Sequence, residues 1–288
     1  AYTGSGAENG NEVGGICGWN TGFITNCSNN GDVTGSGTDS KVGGICGQNW
    51  GTITSCSNNG DVTGSGDSST VGGICGENSN YGSITNCYWL SGTAGVGMGG
   101  GDATEKTEDE YKSGEVAWLL NQWPGNAEVN GKVWAVGKDG YPVLNGKSDN
   151  IVVKLTFDTN TGKEEEQPII RYGNVGDALP KVTLPEITGC TFDGWYNDAD
   201  CSGEPVTEIS AEATGDQTYW AKWTAETYSV KLNTNGGTIN SGDVTSYTYG
   251  IGATLPTDVT RSGCTFAGWY DNEALSGEPV TTISADAT

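Results

Sequence analysis

The sequence predicts a mainly β protein, in which a parallel β-solenoid and a short helix-containing cap precede two small β-rich domains, the second truncated. Two internal repeats carry this prediction, one of 29 residues before residue 100 and one of 74 residues after residue 150. Fixed periods of this kind are typical of stacked repeats and tandem modules. Glycine supplies 48 of the 288 residues. A glycine-rich region without a helical period favours short strands and turns.

The solenoid is predicted from the run Val-Gly-Gly-Ile-Cys-Gly, which begins at Val13, Val42 and Val71. Short apolar runs alternate with Gly, Asn, Ser and Thr, a pattern that suits brief strands joined by tight turns. We expect Asn-Asn-Gly-Asp at 29–32 and 58–61 to form turns with positive φ. Stacking would align two isoleucine columns, namely Ile16, Ile45 and Ile74, and Ile24, Ile53 and Ile84.

Six cysteines recur with the same period. They form two sets, Cys17, Cys46 and Cys75, and then Cys27, Cys56 and Cys87. One hypothesis is a disulfide inside each rung, because the pairs recur together and a secreted protein permits oxidation. The alternative is two ladders of free thiols, since cysteine also packs as a small buried hydrophobe. The sequence leaves both open.

Aromatic residues also recur at the predicted rung corners. Trp19, Trp50 and Tyr81 are candidates for a ligand surface, because exposed rings on a repetitive face can stack against sugars. The alternative is that each ring covers a turn or a neighbouring rung. Calcium at the Asn-Asn-Gly-Asp turns is not expected, since each turn offers one carboxylate. We predict no metal site, no cofactor and no catalytic residue.

Residues 101–149 are expected to form a capping or linker segment. Thr107 and Glu110 fit a capping box, and Val116, Leu119 and Leu120 form an apolar stripe, although Gly114 weakens a helix here. Two short strands are expected around residues 133–136 and 140–144. Such a segment can cover the open end of a solenoid, whose strand edges would otherwise invite aggregation.

The second repeat places GCTFDGWYNDADCSGEPVTEIS at 189–210 and GCTFAGWYDNEALSGEPVTTIS at 263–284. Alternating Thr, Val, Tyr and Trp predicts small β-rich domains at 150–225 and 226–288. Their cores are expected around Phe192, Trp195 and Tyr196, with Phe266, Trp269 and Tyr270 in the second copy. A closing strand at 218–223 has no counterpart in the second copy, so we expect an incomplete and less stable domain. Both termini fall inside repeats, which predicts a fragment.

Composition excludes several classes of function. The formal net charge is −23 with 13 basic residues, which argues against nucleic acid and anionic membrane partners. Histidine is absent, so catalysis and metal binding through histidine are excluded in this chain. No apolar stretch approaches the roughly 20 residues that span a bilayer. Carboxylate pairs for glycoside hydrolysis remain open by composition alone.

Two family resemblances rest on these residues. Residues 1–100 resemble GLUG-motif repeats, whose pattern runs GG-[aliphatic]-x-G-x-N-x-G-x-I-x-N-C. Residues 151–288 resemble the Listeria–Bacteroides repeat, also called the internalin B-repeat, with its GYTFxGWY, EPVT and TYxAKW signatures. Cys190 and Cys264 replace the usual Tyr. The second resemblance implies a β-grasp-like module in bacterial cell-surface proteins, and neither family implies catalytic residues.

The leading hypothesis is a non-enzymatic, extracellular or surface-attached bacterial protein that acts in adhesion. The solenoid would display a face for a host surface protein or a glycan, and the B-repeat-like domains would act as a stalk. The alternative hypothesis is a purely structural spacer for an enzyme or adhesin domain outside this chain.

Overall fold

The structure is a computed structural model that describes residues 2–5, 10–94, 103–127, 133–144, 151–162 and 167–288. These residues form two compact units. The first comprises the described residues within 1–157, 168–181 and 207–218, and the second comprises those within 158–167, 182–206 and 219–288. The division runs through the first copy of the 74-residue repeat.

The solenoid is built from short strands, one set per rung. In chain order they are β1 Tyr2–Ser5, β2 Glu12–Gly14, β3 Cys17–Asn20, β4 Phe23–Thr25, β5 Ser28–Asn29, β6 Val33–Ser36, β7 Lys41–Gly43, β8 Cys46–Asn49, β9 Thr52–Thr54, β10 Ser57–Asn58, β11 Val62–Gly64, β12 Thr70–Gly72, β13 Cys75–Asn78, β14 Ser83–Thr85, β15 Cys87–Leu90 and β16 Ala103–Lys106. They pair into five parallel sheets, β1-β6-β11, β12-β7-β2, β13-β8-β3, β14-β9-β4 and β16-β15-β10-β5. The predicted mainly β, parallel stacking is confirmed.

Strand register aligns residues one period apart, so equivalent apolar side chains form continuous columns. Ile53 pairs with both Ile24 and Ile84, and all three are buried. Ile45 and Ile74 are fully buried as well, but Ile16 is 46% exposed. Its rung lies at the edge of the described sheets. The predicted column of Ile16, Ile45 and Ile74 is therefore exposed to solvent at the Ile16 end. A separate cluster of buried valines combines two register pairs, Val13 with Val42 and Val33 with Val62.

The left-handed corner of each rung is not the one that the sequence suggested. Positive φ occurs at Asn26 (55°), Ser55 (52°) and Asn86 (50°), one residue before the second cysteine of each rung, a position that we call the left-handed corner. It also occurs at Asp39 (55°) and Ser68 (58°), which precede β7 and β12. Residues of the Asn-Asn-Gly-Asp turns are absent from the left-handed residues of the described chain. Those turns are held by the Asn29 and Asn58 side chains, which hydrogen-bond to Gly31 and Gly60.

The third rung differs from the first two because a tryptophan takes the position that asparagine holds in them. Asn29 donates to Asn58 at 2.8 Å, and the residue in register with Asn58 on β15 is Trp89. The Trp89 ring lies against Gly73, where a Cβ would approach it to 2.3 Å. A buried ring therefore replaces the polar ladder at this level of the stack.

The segment after the solenoid contains helices α1 Glu108–Lys112, α2 Glu115–Asn121 and α3 Pro124–Ala127, and the hairpin of β17 Trp134–Val136 and β18 Pro142–Leu144. The capping box of Thr107 and Glu110 is present. Gly114, with φ of 83°, separates α1 from α2, so two short helices replace a single one. Val116 and Leu120 are buried as the apolar stripe predicts.

This segment covers one side of the solenoid as well as the edge of one sheet at the end of the stack. β16 extends only the sheet that contains β15. The carbonyl oxygen of Leu120 accepts hydrogen bonds from Ser55 Oγ at 3.0 Å and Asn86 Nδ2 at 3.2 Å. Asn126 exchanges two hydrogen bonds of 3.0 Å with Asn26. The helices thus follow the left-handed corner down all three rungs, which the sequence did not indicate.

The remaining strands are β19 Val152–Asp158, β20 Ile169–Asn174, β21 Cys190–Tyr196, β22 Gln217–Ala225, β23 Thr227–Ser229, β24 Thr238–Ile239, β25 Ser246–Thr248, β26 Ala253–Thr254, β27 Val259–Thr260 and β28 Thr282–Ile283. In the first unit, β20 pairs antiparallel with β19 and also contacts the helical segment. Val136 and Asn174 exchange hydrogen bonds of 2.9 and 3.0 Å, and the Tyr172 ring lies 5.4 Å from that of Trp118.

In the second unit, the two repeat copies differ in how well they bury their aromatic residues. β21 pairs with β22, and Trp195 and Tyr196 are buried as predicted, with Phe192 partly so. The prediction fails for the second copy. Its counterparts are only partly buried and line an open cavity of about 710 Å³. They are Phe266, Trp269 and Tyr270.

Candidate ligand surface

The three predicted aromatic residues lie at or beside one bend of the solenoid, between the sheet of β3, β8 and β13 and the sheet of β4, β9 and β14. Trp19 is 60% exposed, Trp50 44% and Tyr81 82%. Trp50 and Tyr81 lie at the bend itself. Trp19 does not, because it belongs to strand β3 and pairs in register with Gln48. The prediction of a corner position is therefore wrong for Trp19, although its side chain still borders the bend.

Phe23 is a fourth aromatic residue on the same bend, and sequence reasoning missed it. It begins β4, pairs in register with Thr52, and is 85% exposed. The signal was present, since alternation along β4 turns Phe23 outward while Ile24 points inward. Comparison of the rungs column by column would have placed it in the outward column of Thr52.

Three columns of side chains therefore make up this surface, which we call the aromatic bend. They are Trp19, Gln48 and Glu77 on one side, Thr21, Trp50 and Tyr81 at the turn, and Phe23, Thr52 and Ser83 on the other side. The turn column is fixed by main-chain hydrogen bonds of 2.8 Å from Trp50 to Asn20 and from Thr52 to Gly22.

The rings of adjacent rungs contact each other at the turn. The centroids of Trp50 and Tyr81 are 6.1 Å apart with 25° between the ring planes. Tyr81 lies in a loop that is two residues longer than the equivalent turn of the second rung, between Ser79 and Ser83. The insertion therefore places an additional ring beside Trp50, on the exposed side of the solenoid.

A ladder of asparagine side chains supports the bend from within. Asn20 Nδ2 donates to Asn49 Oδ1 at 2.7 Å, and Asn49 Nδ2 donates to Asn78 Oδ1 at 2.7 Å. Each amide also forms a hydrogen bond within its own turn. For example, Asn49 Oδ1 accepts a hydrogen bond of 3.2 Å from the N–H of Gly51. Because every turn is tied to the next, the positions of the rings outside are set by a rigid interior.

Charge on the aromatic bend is small and paired. Glu77 accepts from Gln48 Nε2 at 3.2 Å and forms an ion pair with Lys41 at 3.1 Å. The other members carry hydroxyl, amide or aromatic groups. The surface thus offers apolar rings beside hydrogen-bonding groups within a chain whose formal net charge is −23.

The cysteine columns lie inside the solenoid and do not contribute to this surface. All nine cysteines are free, so the hypothesis of a disulfide within each rung does not hold in the structure. Cys46 pairs in register with Cys17 and Cys75. A hydrogen bond with Cys75, and then burial, raise the pKa of Cys46. A hydrogen bond with Cys56, and then burial, raise that of Cys27. Such thiols are poor nucleophiles.

Over the described ranges, no group of three or more Cys, Asp or Glu side chains is arranged to hold a metal ion. The longest helix in that part of the chain, α2, has seven residues, and none is long and apolar enough to cross a bilayer.

Comparison with known families identifies the repeats. The GLUG motif model matches residues 9–34, 39–63 and 67–88. The model of the Listeria-Bacteroides repeat domain matches residues 154–222 and 228–288. The chain carries GLUG motifs and Listeria-Bacteroides repeats. The repeat content expected from the sequence is thereby confirmed, and repeats of these kinds indicate a surface-type protein.

Two curated relatives come from Evansella cellulosilytica. One, named "Putative Gly-rich membrane protein", is 31% identical over 126 residues, which cover 42% of this chain and 13% of the relative. The other, named "Putative membrane protein", is 30% identical over 131 residues, 43% of this chain and 18% of the relative. The chain therefore spans less than a fifth of the length of these relatives.

One solved structure is similar in part. It is described as a putative immunoglobulin A1 protease from Bacteroides ovatus, with a TM-score of 0.36 and 20% identity over 49% of this chain and 54% of that chain. At that score the likeness bears neither on the fold nor on the activity of this chain.

Proposed function

We propose that this chain is part of a non-enzymatic bacterial protein that is secreted or attached to the cell surface and acts in adhesion. The solenoid binds a host surface protein or a glycan through the aromatic bend, and the Listeria-Bacteroides repeats, proposed to be β-grasp-like, act as a stalk. The observation that carries the proposal is the gathering of four exposed aromatic residues at or beside one bend of the solenoid.

Physical chemistry supports a binding role for the bend. Exposed aromatic rings lose hydration cheaply and have few torsions to freeze, so they are common in binding surfaces. Nothing inside the solenoid requires Phe23 or Tyr81 to be aromatic, because both side chains lie almost entirely in solvent. The non-enzymatic part of the proposal draws support from the absence of histidine in the sequence and from the raised pKa values of Cys27 and Cys46.

A spacer role is the second candidate, and the Trp50–Tyr81 contact favours it. Two stacked rings bury part of each other, which stabilises neighbouring rungs without any ligand. In that case the solenoid only separates domains elsewhere in a longer protein. The relatives, of which this chain covers less than a fifth, leave room for such domains.

An array of glycans and host surface proteins, probed with the whole chain, separates the two candidates. The adhesion proposal predicts that the chain binds at least one glycan or protein on the array. The binding signal should fall when Trp50 and Tyr81 are both replaced by alanine. A silent array, or a signal that the double variant leaves unchanged, would favour the spacer. Circular dichroism of the double variant should match that of the original chain, since both side chains are exposed.

A further inference from the structure

The composition of the aromatic bend points to one chemical class of ligand. The bend contains four aromatic rings and the hydroxyl groups of Thr21, Thr52 and Ser83. Each ring therefore has a hydroxyl group in the neighbouring column. Sugars have the complementary character. A pyranose ring presents C–H groups on its face and hydroxyl groups around its edge, and the electron-rich face of an aromatic ring attracts such polarised C–H groups.

The dimensions of the bend suit a short stretch of glycan. Four residue steps along the rung, from Trp19 to Phe23, span about 13 Å, and three stacked rungs span about 10 Å between outer strands. The described bend thus matches a few sugar rings.

Charge disfavours the acidic glycans. The chain has 36 acidic and 13 basic residues, so it repels a polyanion at long range. Lys41, the basic group beside the bend, is already paired with Glu77 at 3.1 Å. An anionic sugar would lie close to the carboxylate of Glu77, and the ammonium group of Lys41 is already engaged by that carboxylate. The contact between like charges is therefore unfavourable.

We infer that the aromatic bend binds an uncharged polysaccharide, whose pyranose faces stack on Trp50 and Tyr81 and whose edges hydrogen-bond to Gln48, Thr52 and Ser83. This inference rests on the proposed function and specifies its ligand. Trp19 and Phe23 border the sugar on either side of the turn. The asparagine ladder holds the rings in place before binding, so little ordering of the protein opposes association.

Affinity gel electrophoresis of the whole chain tests the inference. The gels contain one of four uncharged polysaccharides (hydroxyethyl cellulose, mannan, xylan or galactan) or the carboxymethylated form of the same polymer. We expect retardation by at least one uncharged polymer, and loss of about tenfold or more in affinity for Trp50→Ala and for Tyr81→Ala. The carboxymethylated form of that polymer should retard the chain less.

Tyr228 and Tyr247 provide the matched control. Their rings stack at 5.5 Å and 29° in the second unit, in nearly the same geometry as Trp50 and Tyr81. Tyr228→Ala should leave the retardation unchanged. Equal loss in this control, or retardation that the bend variants do not reduce, would overturn the inference.

Failure of the ligand class and failure of the proposed function give different results. Preference for a carboxymethylated polymer, or binding of a host protein that depends on Trp50, would overturn the uncharged-glycan inference and leave adhesion standing. If the chain binds none of the polymers and none of the host surface proteins on the array, both the uncharged-glycan inference and the adhesion proposal would be overturned.

Discussion

The side-chain amide of Asn49 donates a 2.7 Å hydrogen bond to Oδ1 of Asn78, its equivalent one rung later. The same amide nitrogen lies 3.1 Å from the carbonyl oxygen of Gly51, and Asn49 is fully buried. One side chain therefore joins two rungs and closes its own turn. Directly outside that turn lies Trp50, so the interior ladder and the aromatic bend are parts of one arrangement.

Asn49→Ala should destabilise the solenoid strongly. The substitution removes the hydrogen bonds that Asn49 makes with Asn20, Gly51 and Asn78, and each such bond contributes about 0.5–1.5 kcal/mol. We expect a loss of roughly 2–4 kcal/mol in the free energy of unfolding. Urea unfolding followed by circular dichroism measures it. Asn30→Ala is the control, since Asn30 is exposed, and it should change stability by less than about 0.5 kcal/mol.

Tyr111→Phe tests the attachment of the helical segment to the side of the solenoid. The Tyr111 hydroxyl is buried, 3.1 Å from Ser57 Oγ and 3.2 Å from the carbonyl oxygen of Asn58. Removing it should cost about 1–2 kcal/mol and increase cleavage of residues 107–123 in limited proteolysis. Tyr81→Phe, at an exposed position, should change neither. Unaltered proteolysis in Tyr111→Phe would show that the side contact does not anchor the helices.

Acid should weaken the cap through Glu110. Hydrogen bonds from Lys106 Nζ at 2.8 Å and from the N–H of Thr107 at 2.7 Å lower the pKa of Glu110 to about 2. A carboxyl group whose pKa falls on folding stabilises the protein above its unfolded pKa, and that contribution disappears as the pH drops towards its folded pKa. The side chain is 35% exposed, so screening keeps the effect below about 1 kcal/mol.

The difference in Tm between the original chain and Glu110→Gln measures this contribution. It should be constant near neutral pH and vanish between about pH 4.5 and pH 2. Glu108→Gln is the control on the same helix, because the Glu108–Lys112 pair is more than half exposed. A Tm difference for Glu110→Gln that persists unchanged at pH 2 would contradict the assignment.

Hydrogen exchange should distinguish the two copies of the 74-residue repeat. The first copy buries Trp195, Tyr196 and Tyr219, whereas Leu255 is the buried hydrophobic residue of the second copy within the described chain. Amides of β21 should therefore exchange more slowly than those of 264–270, whose main chain is not in a regular strand. Equal protection of the two segments would refute the expected difference in stability.

The period in the sequence determines the solenoid because each rung repeats the same inward positions. Ile53 and Ile84 could be assigned to one column from spacing alone, and the register confirms it. The capping box at Thr107 is likewise a local pattern that needs no tertiary information. Local chemistry and a fixed period together were sufficient for these features.

Other features depend on contacts that no local pattern encodes. Leu120 lies against Ser55 and Asn86 only because the whole helical segment turns back along the solenoid. The aromatic bend was found in part, through Trp50 and Tyr81. Phe23 was missed because its role appears only when the rungs are aligned and the outward positions are compared.

The most direct test of the aromatic bend as a binding surface is nuclear magnetic resonance of the indole N–H groups in the whole chain. Tryptophan is labelled with ¹⁵N, and hydroxyethyl cellulose, mannan, xylan or galactan is added in turn. At least one polymer should change the chemical shifts of the indole signals of Trp19 and Trp50, while the chemical shift of buried Trp134 stays the same. Unchanged Trp19 and Trp50 signals with every polymer, or equal changes at Trp134, would contradict this account.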